Sequence, residues 1–256
     1  MLKEERHSRI LKILKDRNTV KTTEIAEELD ISLATARRDL NELDQSKSIK
    51  KIFGGAKKVS TASFVTSEES MIEKNQLNMY EKNEIGRFAA RLIKDRDFVY
   101  MDAGTSVEAV VPFITAEDAT FVTNSVGIAR ELSALKYKVF VLPGEIKLTT
   151  DSITGVAASE YVRRFNFSLG FFGTNGVHKD HGFTTPDINE SIVKSSALDR
   201  CHKAYILADK SKFNKVSQVT FSDDGDLEII TNEEVEGKTQ IVIKKLRGTN
   251  DLYLNT

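Results

Sequence analysis

The sequence predicts an α/β protein in two parts: a small helical head ending in a β-hairpin, and a larger body with a mostly parallel sheet. Three observations carry this. Residues 3–43 hold three apolar-periodic segments separated by short polar breaks. The run IKKIFGGAKK, residues 49–58, has strand-forming residues on either side of a Gly-Gly turn. Beyond residue 78, apolar runs such as FVYMDAGTS, KVFVLPGE, FSLGFFGTNGV and KAYILADKSKF alternate with amphipathic segments such as GIARELSAL and NESIVKSSALDR.

Composition narrows the class. The 256 residues are 40% hydrophobic and 29% charged, with 3 prolines, which is the balance of a folded globular chain. The formal net charge of −1 hides an asymmetry: residues 1–58 carry 14 basic against 10 acidic residues, and the remainder 23 against 28. A mildly basic head on an acidic body suits a head that meets phosphate. One cysteine, Cys201, excludes an internal disulfide and fits a reducing compartment. The charged start MLKEERHSRI does not read as a signal peptide, and no long apolar run predicts a membrane span, so the cytoplasm is the expected location.

In the head, Leu2, Ile10, Leu11, Ile13 and Leu14 predict a helix over residues 3–16, broken by Asn18 and Thr19. Thr22 or Thr23 is placed to cap a second helix, with acidic residues in its first turns and Ile25, Ala26 and Leu29 inside. Asp30-Ile31 turns the chain. Ser32 stands at the N-cap of a third helix, about Leu33–Leu43, which buries Ala36, Leu40 and Leu43. Thr35, Arg37 and Arg38 then fall on other faces, near the helix start. Such a helix presents its N-terminal residues to base edges in the major groove, where arginine suits guanine and phosphate. Two arginines on a helix are most often a solvated face. The order helix, turn, helix, hairpin makes this third helix a candidate DNA reader, and the hairpin a wing with Lys50, Lys51, Lys57 and Lys58 toward the backbone. The candidate DNA-binding residues are Thr22, Thr23, Ser32, Leu33, Ala34, Thr35, Arg37, Arg38, Lys50, Lys51, Gly54, Gly55 and Lys57.

The chain is expected to divide into a head, residues 1–58, a Ser/Thr-rich linker, residues 59–77, and a body, residues 78–256. In a parallel sheet, ligands bind beyond the carboxyl ends of the strands. Small, hydroxyl-bearing clusters fall at those ends here: Asp102 through Ser106, including Gly104 and Thr105; Thr123-Asn124; and Gly173-Thr174-Asn175-Gly176. Thr184-Thr185 are expected in a loop, Lys194 on a helix, and Asp209 and Lys212 after another strand. The first cluster precedes a helical segment, whose N-terminus would attract an anion such as phosphate.

The head resembles that of DeoR-type bacterial repressors. Their pattern, roughly V-S-x-x-T-[IV]-R-R-D-L-x-x-L-E with a later H-G-G-A, is matched by Ile31-Ser32, Thr35-Ala36-Arg37-Arg38-Asp39-Leu40, Leu43-Asp44 and Gly54-Gly55-Ala56. Ala36, Phe53 and Lys47 depart from it, at a β-branched, a histidine and a glycine position respectively. The resemblance covers almost the whole chain. It implies a winged helix-turn-helix head and a body resembling ribose-5-phosphate isomerase. The matching body pieces are Asp102–Ser106, Thr123-Asn124, Gly173–Gly176, Lys194 after GFTT, and Asp209–Lys212, with Leu142-Pro143-Gly144 where many members have L-G-G. The run GFFGTNGV…GFTTPDINESIVKSSAL looks most like the fructose-operon repressors of Gram-positive bacteria. That likeness implies fructose 1-phosphate as effector, with a lactose-operon repressor answering tagatose 6-phosphate as the nearest alternative.

Binding without turnover is the expected activity of the body. An isomerase needs carboxylates placed to move protons between carbons, and Gly173–Gly176, where the related enzyme has its acidic loop, holds none. The competing expectation is a cytosolic sugar-phosphate enzyme whose head makes protein contacts. His7, His178, His181, His202 and Cys201 show no zinc spacing, with Cys201-His202 expected to end a helix, and no metal or cofactor is expected. The expected partners are operator DNA, a phosphorylated sugar and further copies of the chain, as a dimer or tetramer, because one reading helix covers few base pairs.

Overall fold

The computed structural model describes residues 1–46, 48–58, 63–65 and 77–232, with the backbone alone of 240–245 and 252–255. Lys47 and most of the expected linker lie outside the described residues. The chain forms two compact units, Met1–Thr61 and Ala62–Thr256.

The first unit holds helices α1 (Lys3–Arg17), α2 (Thr22–Glu28) and α3 (Leu33–Gln45), and strands β1 (Thr19–Lys21), β2 (Ile49–Ile52) and β3 (Gly55–Lys58) in the antiparallel order β1-β3-β2. The expected apolar stripes meet in one core of Ile10, Leu14, Ile25, Ala36, Leu40, Leu43 and Ile49, with Ile31 packed against it. Leu2 and Leu11, expected on the first stripe, are exposed instead. Strand β1 was not foreseen. Val20 is buried between flanking polar residues and lies opposite Ala56 of β3. The residues read only as a helix break therefore close a small sheet. Both glycines of the hairpin are needed. Gly54 turns the chain at φ +79°, and a Cβ on Gly55 would meet the Val20 carbonyl oxygen at 2.2 Å.

One buried charge ties α3 to α1. Asp39 is 1% exposed. It accepts hydrogen bonds from Arg6 Nε at 2.7 Å and Nη2 at 3.0 Å, and lies 3.3 Å from His7 Nε2. Burial alone would push this carboxyl up. The Arg6 guanidinium and then His7 overcome that and hold it below the ordinary value of 3.8. The stability this gives is present above the unfolded-state pKa and is lost as pH falls through the depressed folded value. Asp39→Asn is expected to cost about 1–3 kcal/mol at neutral pH. Urea unfolding at pH 7 and pH 3 checks this, because the gap between variant and parent should narrow at the lower pH.

The second unit is built on an eight-stranded sheet in the order β18-β17-β16-β13-β10-β5-β6-β7. In chain order these are β5 (Phe98–Met101), β6 (Thr120–Thr123), β7 (Lys138–Val141), β10 (Phe167–Gly173), β13 (Cys201–Leu207), β16 (Glu228–Thr231), β17 (Gln240–Lys245) and β18 (Leu252–Asn255). All neighbours are parallel except β17 and β18. Both faces of the central strands are buried, which explains their near-continuous apolar runs. Val99, Met101, Phe121 and Phe171 pack to one side with Ile85 and Phe88 of α4 (Met79–Ala90) and Ile128 and Leu132 of α6 (Val126–Ala134). Tyr100, Val122, Phe172 and Ile206 pack to the other with Val162 of α7 (Val156–Val162) and Val193 of α8 (Ile188–Leu198).

Three smaller pairings flank the sheet: a hairpin of β8 (Glu145–Lys147) and β9 (Ser152–Thr154); an antiparallel group of β11 (Gly176–His178), β12 (Gly182–Thr185) and β15 (Val219–Ser222); and a parallel pair of β4 (Ser63–Phe64) with β14 (Lys215–Val216). Three local expectations change. Thr184 and Thr185 lie in strand β12, not in a loop, because they pair with β11 and β15. Cys201-His202 open β13 rather than close a helix. The helical segment after Gly104 is the single turn α5 (Thr105–Glu108), too short for a sizeable dipole.

Candidate functional site

In the head, Ser32 caps α3 as its spacing implied, accepting the Thr35 N–H at 3.1 Å. The Ser32 and Thr35 hydroxyls lie 2.8 Å apart. Leu33, Ala34, Arg37 and Arg38 are exposed on the same helix, and Thr35 is half-buried. The cap of α2 departs from expectation. Neither Thr22 nor Thr23 caps it. Lys21 holds the N-cap position, with its N–H donating to Glu24 at 3.2 Å. The Thr22 hydroxyl instead donates to the Gly54 carbonyl at 3.1 Å and ties α2 to the wing turn, while Thr23 stays exposed.

The charges sort into two kinds. Lys3, Arg6 and Arg17 are paired with Glu42, Asp39 and Glu28. Arg37, Arg38, Lys50 and Lys57 have no acidic partner among the described residues. Lys50 and Lys57 also lie directly opposite each other across β2 and β3. Like charges in that register repel in the free protein, and a bound polyanion would relieve the repulsion. Lys51 is partly committed, its ammonium donating to Asn41. Phe53, at the wing tip, is fully exposed.

In the body, the parallel register brings the ends of β5, β10 and β13 to one edge, where a cleft is lined by Ala103, Gly104, Thr105, Ser106, Gly173, Thr174, Asn175, Lys194 and Lys212, together with Thr150 and Glu190. Beneath it, Asp102 is fully buried. Its Oδ2 accepts the Lys194 ammonium and the Gly173 N–H, the latter at 3.0 Å, and Oδ1 has no partner among the described residues. Burial pushes the Asp102 carboxyl up, against the pull of Lys194 and that N–H. Lys194 also donates to the Gly173 carbonyl at 3.2 Å, so one side chain of α8 fixes the loop after β10.

The other residues expected at the site stand behind this lining. Asn124 accepts the Ala103 N–H at 2.9 Å and the Tyr100 hydroxyl at 3.1 Å, and so shapes the Asp102–Ser106 turn from below. Thr123 accepts the Ser125 N–H at 2.9 Å and sets the next turn. Thr174, itself part of the lining, donates to the carbonyls of Gly176 and Thr184 at 2.8 and 3.2 Å. Thr185 donates to Glu190 at 3.2 Å. Asp209 accepts from Asn78 at 3.1 Å and from the Ser211 N–H at 2.8 Å, shaping the turn that carries Lys212.

Glu190 was missed, and it adds an acid to a cleft whose Gly173–Gly176 loop holds none. It is 7% exposed. It accepts from Lys147 at 3.1 Å, Thr150 at 2.9 Å, Ser152 at 3.3 Å and Thr185 at 3.2 Å. Burial alone would raise its pKa, but Lys194, Lys147 and these donors more than offset it and hold the carboxyl below its ordinary range. Three of these donors fill Oε1 while Oε2 accepts the Thr185 hydroxyl, so the carboxylate is a fixed acceptor, poorly suited to taking up a proton. A signal was present in the sequence: Glu190 and Lys194 are four apart and share a face of α8. Thr150 gave none, since nothing marked the β8–β9 hairpin as reaching the cleft. Among the described residues no cluster of His, Cys, Asp and Glu could hold a metal ion, and burial pushes the Cys201 thiol up to about 12. Among the described residues no helix is long and apolar enough to cross a membrane.

A winged helix-turn-helix head with unpaired arginines on its third helix, joined to an α/β body with a polar cleft at its strand ends, defines a DNA-binding regulator with a ligand-sensing domain. Family models agree with both parts: DeoR-like helix-turn-helix domain over residues 6–62, and DeoR C terminal sensor domain over residues 77–233. The chain belongs to the DeoR family of transcriptional regulators. It is 36% identical over 237 residues to the uncharacterized HTH-type transcriptional regulator FruR of Bacillus subtilis, covering 92% of this chain and 93% of that protein. It is 32% identical over 246 residues to a lactose phosphotransferase system repressor of Staphylococcus epidermidis, covering 94% and 97%. Among solved structures, ribose 5-phosphate isomerase A of Methanocaldococcus jannaschii is similar over 53% of this chain and 55% of that one, at 11% identity and a TM-score of 0.39.

Proposed function

We propose that this regulator represses a sugar-utilisation operon and is released from its operator by a phosphorylated sugar, fructose 1-phosphate in the first instance. The observation that carries the ligand class is the cleft. It offers Lys212 with no partner among the described residues, hydroxyls and backbone N–H groups at Gly104–Ser106, and the fixed acceptor Glu190. A phosphate suits the cation and N–H groups, and sugar hydroxyls suit a carboxylate that only accepts. The lowered pKa of Glu190 favours holding such a ligand over taking up its protons. The named lactose-system repressors among the relatives keep tagatose 6-phosphate as the second candidate.

On this reading Ser32, Thr35, Arg37 and Arg38 meet the operator's major groove, and Lys50 and Lys57 meet its backbone, within a homo-oligomer whose paired heads match two half-sites. Ligand binding must favour one arrangement of the oligomer energetically, or nothing moves.

A thermal-shift panel of sugar phosphates tests the ligand. Fructose 1-phosphate is expected to raise the midpoint in a concentration-dependent way, and free fructose to do nothing at the same concentration. Equal shifts from inorganic phosphate and every sugar phosphate would show that no sugar is selected. Glu190→Gln should weaken the sugar response roughly tenfold while leaving operator affinity unchanged, because one charge-assisted acceptor is replaced by an amide.

A further inference from the structure

The turn that presents Lys212 to the cleft is held by both described ends of the chain that connects head to body. On the amino-terminal side, residues 63–65 lie along β14: the Ser63 N–H donates to the Asn214 carbonyl at 3.1 Å, the Val65 N–H to the Val216 carbonyl at 2.9 Å, and β4 pairs with β14 in parallel. On the carboxyl-terminal side, Asn78 stands just before α4 in the left-handed region, at φ +54°. Its amide donates to Asp209 Oδ1 at 3.1 Å and to the Ser211 hydroxyl at 3.3 Å. Residues 209 to 216 are thus gripped at one end by Asn78 and at the other by residues 63–65.

The same short segment meets the cleft twice. Lys212 lines it directly. Gly176, which closes the Gly173–Gly176 loop, packs against β14 so closely that a Cβ there would meet the Lys215 carbonyl oxygen at 2.4 Å. A shift of that loop toward β14 therefore presses directly on it. The grip on the other side is weak. Strand β4 is two residues long, with Ser63 exposed and Phe64 64% exposed, so detaching it uncovers little apolar surface. The turn is also incompletely satisfied, since Asp209 Oδ2 is buried with no partner among the described residues. A hold of two backbone hydrogen bonds, beside a turn with one orphaned acceptor, lies at the low-stability end of a structure, where a modest ligand preference is enough to change it.

We propose that Asp209–Val216 is the coupling element of this protein, through which ligand in the cleft changes the hold on residues 63–65 and Asn78 and so the tether of the DNA-binding head. This rests on the reading of the cleft as a phosphorylated-sugar site, and it adds the route by which that site is heard.

Two substitutions outside the cleft break the grip. Val65→Pro removes the N–H that bonds Val216. Asn78→Gly removes both amide bonds and keeps a residue that tolerates the left-handed backbone. In the full-length protein, operator affinity is measured with and without fructose 1-phosphate, and in a second arm with tagatose 6-phosphate. The parent should show a ratio on the order of 5- to 150-fold, the usual range of such coupling. Each variant should still bind the sugar phosphate within about twofold of the parent by calorimetry, with its operator ratio reduced to within about twofold of unity. A parent ratio that persists undiminished in both variants overturns the coupling element while leaving the ligand assignment intact. A parent that binds neither sugar phosphate overturns both. Should either variant fail to fold, hydrogen exchange on the parent decides: the amides of Ser63 and Val65 should change their exchange rate at least fivefold on saturation with the sugar phosphate, and unchanged rates overturn the proposal.

Discussion

Replacing Arg37 or Arg38 with alanine is expected to cost operator affinity about 1–3 kcal/mol for each arginine that reaches a base edge, roughly a 5- to 150-fold loss. The physical reason is the state of these side chains. Both are exposed near the start of α3, and neither has an acidic partner among the described residues, whereas Arg6 and Arg17 are held by Asp39 and Glu28. An unpaired guanidinium has no intramolecular bond to give up on meeting DNA. Loss at a base contact should also relax sequence preference, so the operator should fall toward the affinity of random DNA. Lys57→Ala is a useful contrast. It removes a wing charge opposite Lys50, and should weaken all sequences alike and lower the salt slope by about one. Gel-shift or anisotropy titrations over a salt series read both quantities. Operator affinity unchanged in the double arginine variant would exclude α3 as the reading helix.

The second large effect is expected at Lys194. Its ammonium pairs with Asp102, and the two side chains are 5% and 0% exposed. Lys194→Met leaves a carboxylate buried without its counter-charge, which costs about 3–5 kcal/mol in comparable pairs. For a unit of this size that is roughly 6–20 °C in midpoint. Part of the loss should return in Lys194→Met/Asp102→Leu, where both charges go, because the penalty belongs to the unpaired ion rather than to the missing bond. Neither variant should respond to a sugar phosphate, since Lys194 lines the cleft and holds the Gly173 carbonyl. Calorimetric melts of the parent, the single and the double variant test this. Equal midpoints for all three would mean that the pair carries no structural weight.

How far the sequence reached depended on whether a residue's role was local. Helix α3 was legible because its cap, its apolar stripe and its arginines all follow from spacing along one segment. The wing's glycines were legible for the same reason, although the partner that makes Gly55 necessary, the Val20 carbonyl, belongs to a strand too short to leave a period. Asp39 matched the family pattern, but its spacing along the helix gave it no partner. Only the packing of α1 shows that it faces Arg6 and His7.

The body divides in the same way. Parallel strands place their carboxyl ends together, so clusters at those ends could be named as neighbours before any contact was known, and Gly104, Thr105, Ser106, Gly173, Thr174, Asn175, Lys194 and Lys212 do line one cleft. Which members line it and which brace it was not legible. Asn124 and Thr123 shape turns, and Thr184 and Thr185 are strand residues behind the pocket, because only pairing across β11, β12 and β15 decides where they sit. Glu190 was overlooked for a related reason. Its role comes from Lys147, Thr150 and Ser152 on a hairpin some forty residues away, whose approach to α8 is a tertiary fact.

The most direct measurement is a titration of DNA from upstream of the operon that encodes this protein, with and without fructose 1-phosphate. The proposed mechanism predicts binding at least about a thousandfold tighter than to random DNA of the same length, falling steeply with salt, and weakened by the sugar phosphate by the factor the cleft mutations abolish. Equal affinity for both DNAs, unchanged by the sugar phosphate, would contradict it.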